Sequence, residues 1–246
     1  MLSQLEQLAV AERLGQLDRA SDRVWAVALT TGLVCTLIAA YGFPYPVSAS
    51  GKFWAYAGLL VRASLYLWAG ESLAGRGGET LARLFRMGLV AGAFELLVDW
   101  WLIHGVSSGR LIYMTGNDVT LLGSPIWMPL AWEIVAVQFG YIGVRLFEWR
   151  PVWGLLLAGL LGAINIPFYE EMARQVKWWK YSNCQMFLHT PYYIILGEFG
   201  IVLMLAILAR LVRTKNYRWA ILAGVVGGLG IWGCYAGAFW VIEKLW

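Results

Sequence analysis

Long apolar runs separated by short polar connections make up most of the chain. Each run is close to the roughly 20 helical residues that cross the hydrocarbon core of a bilayer. Seven such runs cover residues 24–43, 53–70, 84–103, 121–144, 152–168, 191–212 and 217–242. The pattern predicts an all-α fold, a polytopic membrane bundle of seven transmembrane helices that occupies residues 24–246 as one domain.

The first 23 residues follow a different pattern. Leucines recur among Glu, Gln, Asp and Arg side chains, at Leu2, Leu5, Leu8, Leu14 and Leu17. This spacing predicts an amphipathic helix that lies at the membrane interface. A cleaved signal peptide is not expected, because the charged residues are acidic as well as basic and a full-length apolar run follows.

Composition and charge agree with a membrane location. Of the 246 residues, 60% are hydrophobic and 14% are charged, whereas about a quarter are charged in soluble domains. Lys and Arg are twice as frequent in the N-terminal segment and the alternate connections that follow it as in the other connections. The positive-inside rule then predicts a cytoplasmic N-terminus and an external C-terminus, and we expect a bacterial cytoplasmic membrane. No patch of basic and aromatic residues suggests a nucleic-acid partner.

Five ionisable residues interrupt the apolar runs: Arg62, Glu95, Asp99, Glu133 and Glu198. Each costs about 2.5–3.5 kcal/mol at the centre of a membrane helix, so such residues usually face a partner or a cavity. A rise of about 1.5 Å per helical residue places all five between the midplane and the external side. The adjacent acids Glu170 and Glu171 follow at the external edge. We therefore predict one polar cavity that opens outward.

Metal-free acid–base chemistry is the reaction that these residues favour. The chain has two His residues, which excludes the eight-histidine pattern of membrane desaturases, and neither stands three residues after a Glu as in di-metal sites. Three cysteines lack metal-ligand spacing, and no Walker or Gly-x-Ser-x-Gly motif is present. We predict no metal and no cofactor.

Burial favours the protonated form of a carboxyl group, which can then act as an acid. The candidate proton-transfer residues are Glu95, Glu133, Asp99, Glu171 and Glu198. Aromatic faces can hold an isoprenoid chain and stabilise a carbocation. The candidate substrate-binding residues are Arg62, Trp101, Trp132, Tyr169 and Tyr193.

One part of the chain resembles a known family. Residues 94–146, with FELL followed by GRLIY and GSPIWMPLAW, resemble the membrane hydratases and related proteins of carotenoid biosynthesis. In that family FELL precedes a Gly-x-x-x-Tyr loop and a G-x-P-x-x-x-P-L-A-W helix. The matching positions here are Glu95, Gly109, Tyr113, Gly123, Pro125, Pro129, Leu130, Ala131 and Trp132. The later EEMARQVKWWKY is similar to an acidic-x-Met element with two following aromatics, on Glu171, Met172, Trp179 and Tyr181.

The resemblance implies an enzyme that modifies an isoprenoid or carotenoid-like lipid, with Glu95 and Glu171 among its acids and Tyr113 at the substrate. The seven-span plan also resembles the small integral-membrane terpene cyclases, which protonate an isoprenoid with carboxyl groups. Two alternatives stay open. The chain could be a non-catalytic lipid- or pigment-binding subunit of a membrane complex, or a small transporter, for which buried charges are equally expected.

Overall fold

The computed structural model describes residues 4–42, 49–72, 78–114, 118–213 and 215–245, without the side chains of 4–18, 49–55, 78 and 243–245. Over these ranges the chain forms seven helices: α1 (Gln4–Tyr41), α2 (Ala49–Ser72), α3 (Gly78–His104), α4 (Met128–Trp149), α5 (Pro151–Gln175), α6 (Tyr192–Arg213) and α7 (Tyr217–Leu245). Each predicted apolar run lies largely within one of them. The side chains on which the predicted amphipathic N-terminal face depends lie mostly outside the described residues.

Five helices in the described part of the chain are long and apolar enough to cross a membrane: α1 over Arg19–Tyr41, α4, α5, α6, and α7 over Tyr217–Ile242. The length and composition of these segments are those of a membrane protein. The runs predicted over 53–70 and 84–103 form most of α2 and α3, which carry Arg62 and the Glu95–Asp99 pair. A topology of seven spans stays a prediction.

Short strands, which the sequence did not predict, fill the α3–α4 and α5–α6 connections. Strand β1 (Arg110–Tyr113) pairs antiparallel with β4 (Trp179–Ser182), β2 (Thr120–Leu121) with β3 (Ser124–Pro125), and β5 (Met186–Phe187) with β6 (Thr190–Pro191). Because β1 and β4 belong to different connections, their pairing ties these connections together at one end of the bundle. We call this end the strand end.

The start of the predicted run 121–144 is wrong by seven residues. Leu122 and Gly123 have φ values of 56° and 92° and form the two-residue turn between β2 and β3, where positive φ at both positions gives a tight hairpin. Helix α4 begins only at Met128, and Pro129 lies in its first turn. Proline is tolerated there because the first N–H groups of a helix have no intrahelical acceptor.

Helix α3 is at the centre of the packing, between α4 and α7. Gly88 and Gly92 on α3 allow α4 to approach closely, because a Cβ at Gly92 would stand 2.7 Å from the Cα of Pro129. On the other side, Gly224 and Gly228 of α7 lie against α3 in the same way. Two glycines four residues apart form a flat helix surface that lets backbones meet. This contact fixes the height of α3 relative to α4, and therefore the position of its carboxyl groups.

Candidate functional site

A cavity with a free volume of about 100 Å³ lies inside the bundle, next to the strand end. This volume has room for several water-sized groups. Seven residues of the predicted site line it: Arg62, Glu95, Asp99, Tyr113, Trp132, Tyr169 and Glu198. The other four predicted residues, Trp101, Glu133, Glu171 and Tyr193, do not. These seven residues come from α2, α3, α4, α5, α6 and β1.

The carboxyl groups of Glu95 and Asp99 form the centre of the site. They are 2% and 3% exposed and lie one helical turn apart, close enough for each carboxyl group to act on the other. Oδ2 of Asp99 accepts hydrogen bonds from the Tyr113 hydroxyl at 2.5 Å and from the Ser124 hydroxyl at 2.7 Å. The Trp132 indole lies next to Glu95.

These hydrogen bonds assign different states to the two acids. Two buried carboxyl groups this close do not both ionise readily, so we expect the pair to hold one proton. Asp99 already accepts from two hydroxyls, and hydrogen bonds to the charged form favour that form. We therefore expect the proton on Glu95, whose Oε2 atom has no hydrogen-bond partner among the described residues.

Glu170 and Glu198 complete a group of four cavity-lining carboxyls. Glu170 accepts from the Trp179 indole at 2.6 Å and from the Tyr181 hydroxyl at 3.4 Å. Glu198 accepts from the Tyr235 hydroxyl at 2.5 Å. Both are 5% exposed, and Glu198 is close enough for its charge to act on Glu95 and on Glu170.

The β1–β4 ladder covers the cavity at the strand end. Alternate side chains of a strand point to the same face, and Leu111, Tyr113, Trp179 and Tyr181 all line the cavity. A turn at Lys177, with φ 59°, ends α5 and sends the chain back toward the cavity. The Trp178 N–H bonds to the Ala173 carbonyl and the Lys177 N–H to that of Arg174, as in a Schellman motif.

The two tyrosines of this cover are permanent hydrogen-bond donors. Burial raises the pKa of Tyr113 well above its usual value, and the charges of Asp99 and Glu95 raise it further. Burial also raises the pKa of Tyr181, with Glu170 as the next cause. Both hydroxyls therefore keep their protons at neutral pH and can donate to the carboxyl groups of Asp99 and Glu170.

Glu133 lies outside the cavity lining, at a separate position deeper in the bundle. It is 0% exposed, and its Cα packs against Gly88 on α3, seven residues or about 10 Å from Glu95 along that helix. Neither carboxyl oxygen of Glu133 has a hydrogen-bond partner among the residues that the structure describes. Its charged neighbour is Arg62, and the Tyr66 hydroxyl lies close enough to be affected by both.

Glu171 lies on the outer surface of the strand end. Its side chain is a quarter exposed and is paired with Arg174 at 2.9 Å and with His189. The Gln175 amide donates to it at 2.9 Å. Glu171 therefore joins the end of α5 to the loop between β5 and β6, while its neighbour Glu170 faces inward.

Trp101 and Tyr193 support the site from outside the cavity. Trp101 packs edge-on against Trp232 and Phe239 of α7. Tyr193 donates to the carbonyl of Gly109 at 2.6 Å, and its ring occupies the space that a side chain at Gly109 would need. With φ at 64°, Gly109 forms the turn that leads into β1. Tyr193 thereby positions the strand that carries Tyr113.

Several lining residues were not among the predicted site residues: Gln138, Asn165, Glu170, Trp179, Tyr181 and Tyr235. The sequence does not separate Glu170 from its neighbour Glu171. By the spacing of three and four residues along a helix face, Arg174 is a neighbour of both acids, and each acid stands four residues after a buried residue, Ile166 or Pro167. The structure shows which of the two faces the cavity: Glu171 pairs with Arg174 and Gln175, and Glu170 lines the cavity.

The cavity combines four buried carboxyl groups with aromatic faces in a largely apolar enclosure. Such a set can donate a proton, stabilise a cation and take a proton back. No group of three or more His, Cys, Asp or Glu side chains in the described part of the chain is placed to hold a metal ion.

Comparison with known proteins gives a family but no function. The chain matches no curated protein and no solved structure. Residues 96–242 match a family described as a domain of unknown function (DUF6989). This region includes Asp99, Glu170 and Glu198 and begins one residue after Glu95. Because the match covers more than half of the chain, the protein belongs to this family.

Proposed function

We propose that the protein is an integral membrane enzyme that protonates a carbon–carbon double bond of an isoprenoid or carotenoid-like lipid. Protonation gives a carbocation, which is then consumed by addition of water (hydration) or by attack of a second double bond (cyclisation). The Glu95–Asp99 pair in an aromatic-lined cavity is the observation that carries this proposal. The resemblance of residues 94–146 to carotenoid hydratases gives independent support. The proposal includes seven spans, a cytoplasmic N-terminus and a bacterial cytoplasmic membrane.

In this mechanism Glu95 is the general acid. Its proton moves to one carbon of the double bond, and the other carbon becomes a tertiary cation. The Asp99 carboxylate and the π faces of Trp132 and Tyr169 stabilise the positive charge. Tyr113 and Ser124 hold Asp99 as an anion, so that it attracts the cation without taking up the proton itself.

The proton balance closes in each outcome. When water adds to the cation, the oxygen loses one proton to the carboxyl pair and Glu95 is regenerated. When a second double bond attacks the cation, a ring forms and a C–H proton is returned in the same way. No oxidant, reductant or leaving group is required.

Deuterium transfer from solvent tests the proposal. Protein in liposomes is incubated in D2O with a set of acyclic isoprenoid hydrocarbons, and carbon-bound deuterium is measured by mass spectrometry. We expect incorporation by the unmodified protein and a decrease of about 100-fold or more for Glu95→Gln, the usual scale of a general acid. Glu171→Gln, outside the cavity, is the matched control and should keep the unmodified rate.

Three results would distinguish the alternatives. Equal incorporation by Glu95→Gln would exclude Glu95 as the acid. A co-purified polyisoprenoid without incorporation of deuterium would favour the lipid-binding subunit. Neither bound lipid nor incorporation with any isoprenoid would overturn the proposed function.

A further inference from the structure

Asn165 lies at the border between two faces of α5. One face is a stripe of exposed apolar side chains, Leu157, Leu160, Ile164 and Phe168. The other face lines the cavity with Ile166, Tyr169 and Glu170. Asn165 belongs to both, because it is exposed on the outside of the bundle and also lines the cavity. The cavity therefore reaches the side surface of the bundle at Asn165.

Helix α2 forms the opposite border of this opening. Leu59 and Arg62 line the cavity, while the intervening Leu60 and Val61 are 57% and 42% exposed. The guanidinium of Arg62 packs on Gly32 of α1, and its charge reaches Tyr169 of α5. Helix α2 packs mainly on α1 and α3, and α5 mainly on α4 and α6. Helix α1 packs on α2 and also contacts α5, so α1 occupies part of the space between these two helices.

Helix α4 forms the floor of the opening. Val135, Gln138 and Phe139 line the cavity between the two borders. Toward the opposite end of the bundle, the Trp25 indole of α1 donates to the Gln138 carbonyl at 3.2 Å. Trp25 closes the crevice below Gln138, so the opening is limited to the level of Arg62, Gln138 and Asn165.

This level is near the middle of the proposed membrane. Asn165 stands ten residues before the end of α5, about 15 Å along the helix axis. The hydrocarbon core is about 30 Å thick, so Asn165 is roughly halfway across it. Lipid head groups do not reach this depth, whereas hydrocarbon chains do. A polar side chain on the outside of a span is unfavourable, which makes Asn165 notable beside Ile164.

We infer that the opening bounded by Arg62, Gln138 and Asn165 admits the apolar end of a polyisoprenoid hydrocarbon sideways from the bilayer. This inference rests on the proposed function and specifies its substrate. The end that enters carries no charged head group, and the reacting double bond is near that end. A lipid whose double bond adjoins a phosphate would have to bring the phosphate to the membrane centre.

Blocking the opening tests the inference. A polyisoprenoid hydrocarbon with a diazirine near one end is added to the protein in liposomes, and light-induced attachment to α4 is mapped by peptide mass spectrometry. We expect Asn165→Trp to reduce labelling of α4 at least tenfold. Ile164→Trp is the matched control, because Ile164 is the next residue, 63% exposed and outside the cavity lining, and it should label like the unmodified protein. Equal labelling of both variants would overturn the inference.

A second variant covers the case in which Asn165→Trp fails to fold. Asn165→Cys and Ile164→Cys are made after replacing Cys35, Cys184 and Cys234 by alanine, and the folded proteins are treated with benzyl methanethiosulfonate. The reagent should block labelling only at position 165, and a reducing agent should restore it. Labelling of α4 that persists after modification of Asn165→Cys would contradict the proposed opening.

The result is independent of catalysis. Labelling that depends on Asn165, without deuterium transfer in the unmodified protein, would leave the opening in place and remove the proposed function. Deuterium transfer by Asn165→Trp at the unmodified rate would support the proposed function and contradict the opening. Labelling of α4 by a diazirine-bearing polyprenyl diphosphate as strong as that by the hydrocarbon would overturn the substrate class.

Discussion

At the scale of single residues, the donors around each carboxyl group determine what it can do. Tyr113 and Ser124 converge on one oxygen of Asp99, whereas the Oε2 atom of Glu95 has no hydrogen-bond partner among the described residues. Two acids on one helix face are thereby differentiated by their neighbours. Differences of this kind assign acid and base roles to paired carboxyl groups.

Tyr113→Phe should destabilise the protein by about 1.5–3 kcal/mol, the range for a hydrogen bond to a charged group. The substitution removes the hydroxyl at 2.5 Å from Asp99 and leaves the ring in place. Thermal unfolding in detergent measures the effect. Tyr192→Phe, at an exposed position, is the control and should change the melting temperature little. An unchanged melting temperature for Tyr113→Phe would mean that this hydrogen bond does not contribute to stability.

The same substitution should destabilise the protein more at Glu170 than at its neighbour Glu171. Glu170→Gln places an NH2 group against the Trp179 or Tyr181 donor at a 5% exposed site, and an unsatisfied buried donor costs about 1–3 kcal/mol. Glu171→Gln weakens ion pairs at the surface, which are worth at most about 1 kcal/mol. Melting temperatures of the two variants provide the comparison. A larger loss for Glu171→Gln would show that the inward face of α5 is misassigned.

The sequence predicts which polar residues belong to the site better than it predicts which of their side chains face the cavity. Seven of the eleven predicted site residues line the cavity, because an ionisable residue in an apolar run usually faces the bundle interior or a cavity. Glu133 fits the same rule but lies two turns deeper than Glu95, next to Gly88. Depth along one helix could be estimated from the sequence. The height of α4 relative to α3 could not, since it depends on the glycine contact between them.

At the scale of elements, glycine contacts determine how the helices are placed around the cavity. Gly92→Ala should destabilise the bundle by about 1–3 kcal/mol, the usual cost of overpacking. The added Cβ would meet the Cα and carbonyl oxygen of Pro129 at 2.7 Å and the Cβ of Trp132 at 2.9 Å. Backbone atoms cannot move aside, so α4 and the Trp132 indole near Glu95 must shift.

Gly233→Ala on α7 is the control for this prediction, because a Cβ there would meet no atom within 4 Å. Alanine favours a helix over glycine by about 0.5–1 kcal/mol, so this variant should melt at the same or a higher temperature. Both variants are compared by thermal unfolding in detergent. Equal melting temperatures for Gly92→Ala and the unmodified protein would exclude tight α3–α4 contact.

The helices could be predicted from the sequence and the strands could not. A run of about 20 apolar residues is a long and periodic signal, and every predicted run lies largely within one helix. The cover of the cavity depends on β1 and β4, four residues each, which pair Tyr113 with Trp179 across two connections. No local pattern indicates such a partner. The sequence did not indicate the β2–β3 turn, because Leu122 is apolar and was counted as part of the predicted run 121–144.

At the scale of the whole molecule, arginines are concentrated at the end opposite the strands. Arg145 of α4 is paired with Asp22 of α1 at 3.2 Å, and Arg213 of α6 with Glu148 of α4. Arg83 of α3 donates to the Arg213 carbonyl at 2.6 Å. These contacts connect α1, α3, α4 and α6 at one level. Every second connection along the sequence is rich in Lys and Arg, and the described residues of these connections lie together at one end of the folded bundle.

This separation of charge predicts the orientation of the bundle. Basic connections stay in the cytoplasm, so a reporter between Arg213 and Arg218 should be cytoplasmic and one after Trp246 should be external. Alkaline phosphatase, which is active only outside the cytoplasmic membrane, and a fluorescent protein, which is active inside, measure the two positions. The strand end, with the β1–β4 cover of the cavity, would then face outward, and Glu95 would lie in the outer half of the membrane. The opposite reporter pattern would place the strand end in the cytoplasm. The level of Asn165 would still be near the membrane centre, because about 15 Å of helix separates it from the strand end in either orientation.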